Sequence, residues 1–200
     1  MQIELRGNAD LRKALRRFAP DLEKALKIEL RRGLAPVVKS ARGFVPSNNE
    51  VLSGWRARSF NEGFFPTYNE SIVKSKIGYT TAVSKPNSRG FTAMAGVFNN
   101  SRAGAIYESA GRNGADGQPW VGPKGPAGNR YSHSINRKAG QQFIASMPEL
   151  TGSLKGRGRL IFRAWNKDKG RAEGIVNKAI TTAELELLKR SKSGALRSAA

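Results

Sequence analysis

Apolar residues recur every three or four positions along residues 8–44. This spacing lines one face of an α-helix, and Asn8 or Asp10 can cap its start, so the pattern predicts a long N-terminal helix. Pro20 and Pro36 interrupt the pattern, and because proline lacks an amide donor we expect a kink or a break near each. Lys and Arg fill much of the opposite side, which favours a helix packed on a sheet over one lying on a membrane surface. The apolar face comprises Leu11, Leu15, Phe18, Leu22, Leu26, Leu30, Leu34, Val37 and Ala41.

Three stretches in the middle of the chain have strand-like patterns. Residues 71–84 alternate roughly at period two, and residues 91–99 pair naturally with them because the turn formers of residues 85–90 lie between. The third stretch is GAIYES, residues 104–109. Together they predict a small antiparallel meander over residues 71–109.

The C-terminal third of the chain is predicted to be mainly helical. Residues 135–147 have a helical pattern, and residues 151–159 look like a flexible basic connector. Residues 160–190 indicate a strand or short turn that leads into a C-terminal helix. We therefore predict an α+β fold, with a long N-terminal helix and a C-terminal helix packed on a small antiparallel β-sheet, and with extended arms.

The predicted organisation is one domain with a long arm. Residues 1–190 form the domain, and residues 191–200 form a flexible C-terminal tail. Residues 111–130 are rich in glycine and proline, and Trp120 is their one large apolar side chain. A long segment without a core of its own is usually functional or disordered. We expect Trp120 to anchor the arm on a neighbouring subunit; the alternative, in which it folds back on its own core, stays open.

Charge separates this chain from ordinary globular domains. It has 35 Lys and Arg against 15 Asp and Glu, a formal net charge of +20, and the basic residues are spread along the sequence. Such a surface indicates a polyanionic or acidic protein partner, or else a basic surface that keeps an assembly protein soluble. There are no cysteines, which excludes disulfides and cysteine metal sites. The 200 residues fit one domain, without a predicted signal peptide or membrane span.

Candidate catalytic chemistry is sparse. His133 is the single histidine, and it lies in a polar stretch without a partner at metal-ligand or triad spacing. The segment GPKGP lacks the pattern of a phosphate-binding loop. We expect no enzymatic activity, no cofactor and no metal site.

Nucleic-acid binding has compositional support. The basic segment 156–159 and the aromatic residues Trp55, Tyr131 and Trp165 near basic side chains could contact phosphates and stack bases. No signature of a zinc finger, an RNA-recognition sheet or a KH loop accompanies them. A non-specific nucleic-acid-binding protein is therefore the alternative function.

The order of short motifs resembles a known family. A basic helix runs into Ala41–Pro46 and then into Leu52–Arg58, with SNNEV inserted between these two segments. Later come AGAIYESAG, which includes Ile106, Tyr107, Glu108 and Gly111, and the helix-opening step Phe162, Arg163, Ala164 and Trp165, in which the family's usual proline is absent. This order resembles the neck and minor-tail (tail-completion) proteins of long-tailed bacteriophages, of the phage lambda protein Z type.

The resemblance implies a structural role. Proteins of that family form rings that complete the tail and join it to the head connector, so it implies a virion location, assembly in the host cytoplasm, a homo-oligomer, and contacts with other neck, connector and tail proteins. Packaged DNA is a further, non-specific neighbour. The functional residues would be interface positions rather than catalytic ones. The candidates are Trp120, Tyr107, Glu108, Arg112 and Trp165.

Overall fold

The computed structural model describes most of the chain, with gaps. The described residues are 2–6, 9–51, 55, 66–90, 92–112, 138–152 and 156–193. Their elements are, in chain order, β1 (Gln2–Arg6), α1 (Ala9–Phe18), α2 (Pro20–Gly43), α3 (Glu70–Lys76), β2 (Ile77–Thr80), β3 (Ala93–Asn99), α4 (Arg102–Ser109), α5 (Ala139–Ala145) and α6 (Ile161–Lys192). Helices packed on a small antiparallel sheet confirm the α+β prediction.

The sheet has three strands in the order β1–β3–β2, and both neighbours of β3 run antiparallel to it. Val97 in the central strand pairs with Ile3 on one side and with Tyr79 on the other. β3 has a strand on each side and helices α2 and α6 in contact with it, and nearly all of its residues are buried. The prediction identified β3 and its pairing with β2. It missed β1, although Ile3 and Leu5 alternate there with polar residues.

Helices α2 and α6 form a long antiparallel pair beside the sheet. Contacts join Asp21 to Arg190 at one end and Phe44 to Arg163 at the other. Midway, Gly33 brings the two backbones close, because a Cβ atom there would lie 3.1 Å from Val176 Cγ2. Burial of the apolar faces of both helices therefore forms much of the core.

The predicted N-terminal helix is divided in two. Ala19 has non-helical φ and ψ angles of −151° and 68°, and Pro20 begins α2, where the helix needs no amide donor from it. The break expected at Pro20 is thus confirmed. At Pro36 the helix continues to Gly43 without a break, with buried residues on both sides of the proline holding it in place. The predicted apolar face is mostly buried, but Phe18 is 38% exposed.

The strand predicted over residues 71–84 is wrong for its first half. Residues 70–76 form α3, and only 77–80 are in β2. The side chain of Asn69 accepts a hydrogen bond from the amide of Ile72 (3.1 Å), which caps the helix at a position where an extended strand was expected. The apparent alternation was misleading because Ile72 is 56% exposed.

The strand predicted at residues 104–109 is also wrong, since this segment belongs to helix α4. Ser101 caps the helix by accepting a hydrogen bond from the Gly104 amide at 3.0 Å. The buried positions are Ala103, Gly104, Tyr107 and Glu108, a spacing of one helical turn rather than of a strand. The predicted meander therefore reduces to the β2–β3 pair.

The C-terminal predictions are largely correct. Residues 139–145 of the predicted helix 135–147 form α5, and a turn rather than a strand leads into α6. No helix in the described ranges has the length and apolar character needed to cross a membrane. The arm at 113–130, including Trp120, and the tail from residue 194 lie outside the described residues.

Candidate functional site

Glu108, near the end of α4, is fully buried. Its Oε2 atom accepts hydrogen bonds from the backbone amides of Leu160 and Ile161, the latter at 3.2 Å, and its Oε1 atom accepts one from Phe162 at 3.0 Å. These amides belong to the first turn of α6, which has no partner for them within the helix. The carboxylate therefore caps α6 from more than fifty residues away in sequence.

Arg159, which immediately precedes α6, completes the arrangement. It is 4% exposed, and its Nη1 atom donates to the carbonyl oxygens of Tyr107 (3.0 Å) and Ala110 (2.8 Å), while its Nε atom donates to that of Pro148. The guanidinium thus satisfies carbonyls at the C-terminal end of α4 and just after α5. We call Tyr107, Glu108, Arg159, Leu160 and Phe162 the Glu108 cluster.

Burial determines the electrostatics of the Glu108 cluster. It raises the pKa of the Glu108 carboxyl, against the opposing effect of the three amide hydrogen bonds. It also lowers the pKa of the Arg159 guanidinium and raises that of the Tyr107 hydroxyl. A buried carboxyl with a shifted pKa can be catalytic, but this one has no exposed surface, and its oxygens are occupied by backbone amides. Its geometry is that of a structural cap.

Gly158 permits the close approach of Glu108. A Cβ atom at this position would lie 2.2 Å from Glu108 Oε1 and 3.0 Å from Phe162 Cδ2. The same residue exchanges two backbone hydrogen bonds with Thr151, of 2.8 and 3.0 Å. A glycine is therefore required for the last turn before α6 to lie against the carboxylate.

The segments that carry the family resemblance meet at the Glu108 cluster. The Arg163 guanidinium lies 4.2 Å from the ring centroid of Phe44, at the end of α2. The ring of Trp55 stacks 6.5 Å from that of Tyr107. The residues of AGAIYESAG contact the first turn of α6 through Glu108. Four segments that are far apart in sequence are thus linked by contacts in one region.

The predicted interface residues fall into three groups. Tyr107 and Glu108 are buried, so they present no surface to a partner in this conformation. Arg112 and Trp165 are half-buried; Arg112 lies 5.0 Å from the Phe162 ring centroid, and Trp165 packs against the core. Trp120 lies outside the described residues. An interface role for Arg112, Trp165 and Trp120 stays a prediction.

The residues proposed to contact nucleic acid are mostly engaged in the fold. Trp55 is 2% exposed and donates its indole N–H to the carbonyl of Pro66 at 2.8 Å. In the basic segment 156–159, Arg157 donates to the Arg112 carbonyl, and Arg159 is buried. These two arginines therefore do not form a free phosphate-binding loop. Tyr131 and His133 lie outside the described residues.

Arg159 and Gly158 were not predicted to be central residues, because a basic Gly-Arg repeat is typical of an exposed connector. One signal was present. Glu108 is the only carboxylate in the otherwise small and apolar stretch 103–111, and a lone acid among buried positions requires donors from elsewhere in the fold.

Within the described ranges, no group of three or more histidine or acidic side chains is placed to hold a metal ion. The chain matches no protein-family model, no curated protein and no solved structure.

Proposed function

We propose that this chain is a structural virion subunit of a tailed bacteriophage, a neck or tail-completion protein that joins the tail to the head through a ring-like homo-oligomer. It acts without a cofactor and is not an enzyme. Its partners are other copies of itself and the connector and tail proteins on either side of the ring.

One observation supports this proposal above the others. The segments whose order resembles the phage neck family converge on the Glu108 cluster, where Phe44, Trp55, Glu108 and Arg163 join the end of α2, helix α4 and the start of α6. Motifs that specify a common fold are expected to contact one another in this way. The role of Glu108 as a buried cap agrees with a family whose functional positions are structural.

The predicted arm, residues 111–130, gives each subunit a segment that can contact its neighbour in a ring. Residues 111–130 follow α4 directly, and Trp120 is a large apolar side chain of the kind that dominates protein interfaces. We expect it to bury against an adjacent protomer. Arg112 and Trp165, which are half-buried beside the Glu108 cluster, are candidates for the surface that receives a neighbour.

The experiment is a mass measurement of the wild-type protein and of Trp120→Ala, alone and after mixing with purified tails of the phage. We expect wild-type protein to form a discrete ring, alone or on the tail, and Trp120→Ala to remain monomeric. Arg171→Ala, which removes an exposed side chain of α6, serves as the matched control and should assemble normally. Wild-type protein that stays monomeric in both settings would contradict the proposal.

The second candidate, non-specific nucleic-acid binding, is favoured by the net charge of +20. It predicts that affinity for arbitrary DNA falls steeply with salt, because bound cations are released from phosphates. A ring protein that docks on acidic proteins needs no such affinity.

A further inference from the structure

A second surface feature is a cleft between the N-terminal helices and the segment that follows β2. Helix α1 and the start of α2 face the segment that joins β2 to β3 across a cleft of about 940 Å³. One wall is basic and is formed by Arg12, Lys13, Arg16, Arg17 and Lys27, and the other is formed by Thr81, Ala82, Val83, Ser84, Pro86 and Thr92. We call this feature the basic cleft.

One arginine of the basic wall, Arg12, is held in place by hydrogen bonds within the fold. Arg12 is 1% exposed, and its guanidinium donates to the carbonyls of Thr81 and Met94 and to Glu23 Oε1 (2.9 Å). Its Nε atom has no hydrogen-bond partner among the described residues. This atom is itself buried, so Arg12 anchors the wall from within the fold, and the exposed Arg16 and Arg17 present their charge to the cleft.

The charge of the basic cleft is strongly unbalanced. Its described lining contains five basic side chains and no carboxylate. Glu23 lies behind the wall, where it contacts Arg12, Lys27 (2.8 Å) and Arg16 (3.7 Å). One carboxylate shared among three cations leaves an excess of positive charge that faces the opening, where Arg16 is exposed. The site therefore attracts anions.

The opposite wall indicates which anion fits. Ala82, Val83 and Pro86 are exposed aliphatic side chains, and none of the described lining residues is aromatic. Grooves that hold single-stranded nucleic acid combine cations with aromatic platforms for the bases. A cation wall opposite an aliphatic wall instead suits a peptide that carries both carboxylates and apolar side chains. The volume lies at the upper end of the ~300–1,000 Å³ range of clefts that bury small ligands, so the cleft has room for a few side chains of such a peptide.

We propose that the basic cleft binds an acidic peptide segment of a partner protein. Carboxylates of this segment pair with the exposed Arg16 and Arg17 of the basic wall, while its apolar side chains contact Val83 and Pro86. This inference does not rest on the proposed function, because the cleft would bind such a segment whether or not the protein comes from a phage. It assigns a location and a chemistry to a partner that the net charge alone leaves unspecified.

The test measures the affinity of the purified full chain for a fluorescent peptide of alternating Glu and Leu residues and for an oligo-dT of equal charge. The variant Arg16→Gln/Arg17→Gln should bind the peptide about tenfold more weakly, since exposed interface charges contribute modestly but additively. The control Lys169→Gln/Arg171→Gln removes the same charge from the exposed side of α6 and should change affinity by less than about twofold. Thermal melts confirm that each variant is folded.

A second pair of variants tests the aliphatic wall. Val83 in the cleft and Ile72 on α3 are both exposed apolar residues, with 36% and 56% exposure. Val83→Ser should weaken peptide binding severalfold, because it removes an apolar contact with the leucine side chains of the peptide, whereas Ile72→Ser should not.

Each other outcome overturns the proposal. Equal losses in the cleft and control variants would mean that net charge alone attracts the peptide. Tighter binding of oligo-dT, lost in the same cleft variants, would identify the occupant as nucleic acid. Absence of measurable peptide binding at low salt would mean that the cleft does not take acidic segments.

Discussion

Two buried carboxylates, Glu23 and Glu108, are stabilised by different kinds of hydrogen-bond donor. Glu23, behind the basic cleft, pairs with the side chains of Arg12 and Lys27 at 2.9 and 2.8 Å. Glu108 instead accepts its hydrogen bonds from three backbone amides at the start of α6. One carboxylate is neutralised by side-chain charges at the edge of a cleft, and the other by the end of a helix in the interior.

The pKa values of the two carboxyls shift in opposite directions. Burial alone would raise the pKa of Glu23. Hydrogen bonds and charges from Lys27 and Arg12 outweigh this effect, so the pKa of Glu23 is lowered. For Glu108, burial is the largest effect and raises the pKa, because no side-chain cation contacts the carboxylate as closely. Glu23 therefore partly neutralises the cations of a charged surface, whereas Glu108 holds two helices together.

The largest expected effect is at Glu108. Glu108→Ala should lower the free energy of unfolding by ~3–5 kcal/mol, because it leaves three amides of α6 without acceptors and Arg159 buried without a nearby counter-charge. Urea unfolding followed by circular dichroism measures this. Glu173→Ala, an exposed position of α6, is the control and should stay within ~0.5 kcal/mol of wild type. Equal stability of the two variants would mean that Glu108 does not cap the helix.

Gly158 gives the next largest effect. Gly158→Ala should destabilise by ~1–3 kcal/mol, since the new Cβ would displace Glu108 from the Phe162 amide. Gly174→Ala is the matched control: its Cβ would meet nothing within 4 Å, and removing a helical glycine should stabilise by ~0.5–1 kcal/mol. The two substitutions are chemically identical, so opposite signs in thermal melts would isolate the contact. The same sign in both would argue against it.

The pH dependence of stability should differ in sign between the two carboxyls. A lowered folded-state pKa at Glu23 contributes stability above the ordinary value of 4.5 that is lost as the pH falls through the lowered pKa. A raised pKa at Glu108 means that the folded state takes up a proton first, so its stability increases as the pH falls towards 4.5.

The measurement for this prediction is the unfolding free energy of wild type, Glu23→Gln and Glu108→Gln at a series of pH values. The deficit of Glu23→Gln relative to wild type should shrink towards acid, and that of Glu108→Gln should grow. If the two stability deficits changed with pH in the same direction, the environments of Glu23 and Glu108 would be electrostatically alike, which would contradict this prediction.

The smallest effect is expected at an exposed pair. Arg190 contacts Asp21 at 2.8 Å across the ends of α2 and α6, and hydrogen bonding to Arg190 lowers the pKa of Asp21. Solvent screens such a pair, so Asp21→Asn should leave the melting temperature unchanged within error. A loss comparable to that of Glu23→Gln would mean that burial does not distinguish these ion pairs.

The sequence predicted the long helices and the central strand well, because periodic apolar faces over many residues have one interpretation. It failed where the segments are short. Residues 70–76 and 104–109 have too few apolar positions to distinguish a strand from a helix, and the caps Asn69 and Ser101 decide the outcome. The contacts of Glu108 and Arg159 bridge about fifty residues, and no local pattern contains such information.

The charge of the chain predicted a polyanionic or acidic partner, but not where it binds. The basic cleft depends on the position of Arg12 against Thr81, which are 69 residues apart. Glu108, the single carboxylate in residues 103–111, was the one local sign of the Glu108 cluster. Its hydrogen-bond partners lie in α6, which only the folded structure brings beside α4.

The most direct test of the account is the oligomeric mass of the purified wild-type protein in moderate salt, measured by light scattering before and after nuclease treatment. A structural ring subunit should give a discrete oligomer, or a monomer that assembles on phage tails, and its mass should not change on nuclease treatment. A particle that contains nucleic acid and falls apart on digestion would contradict the account and favour the nucleic-acid-binding alternative.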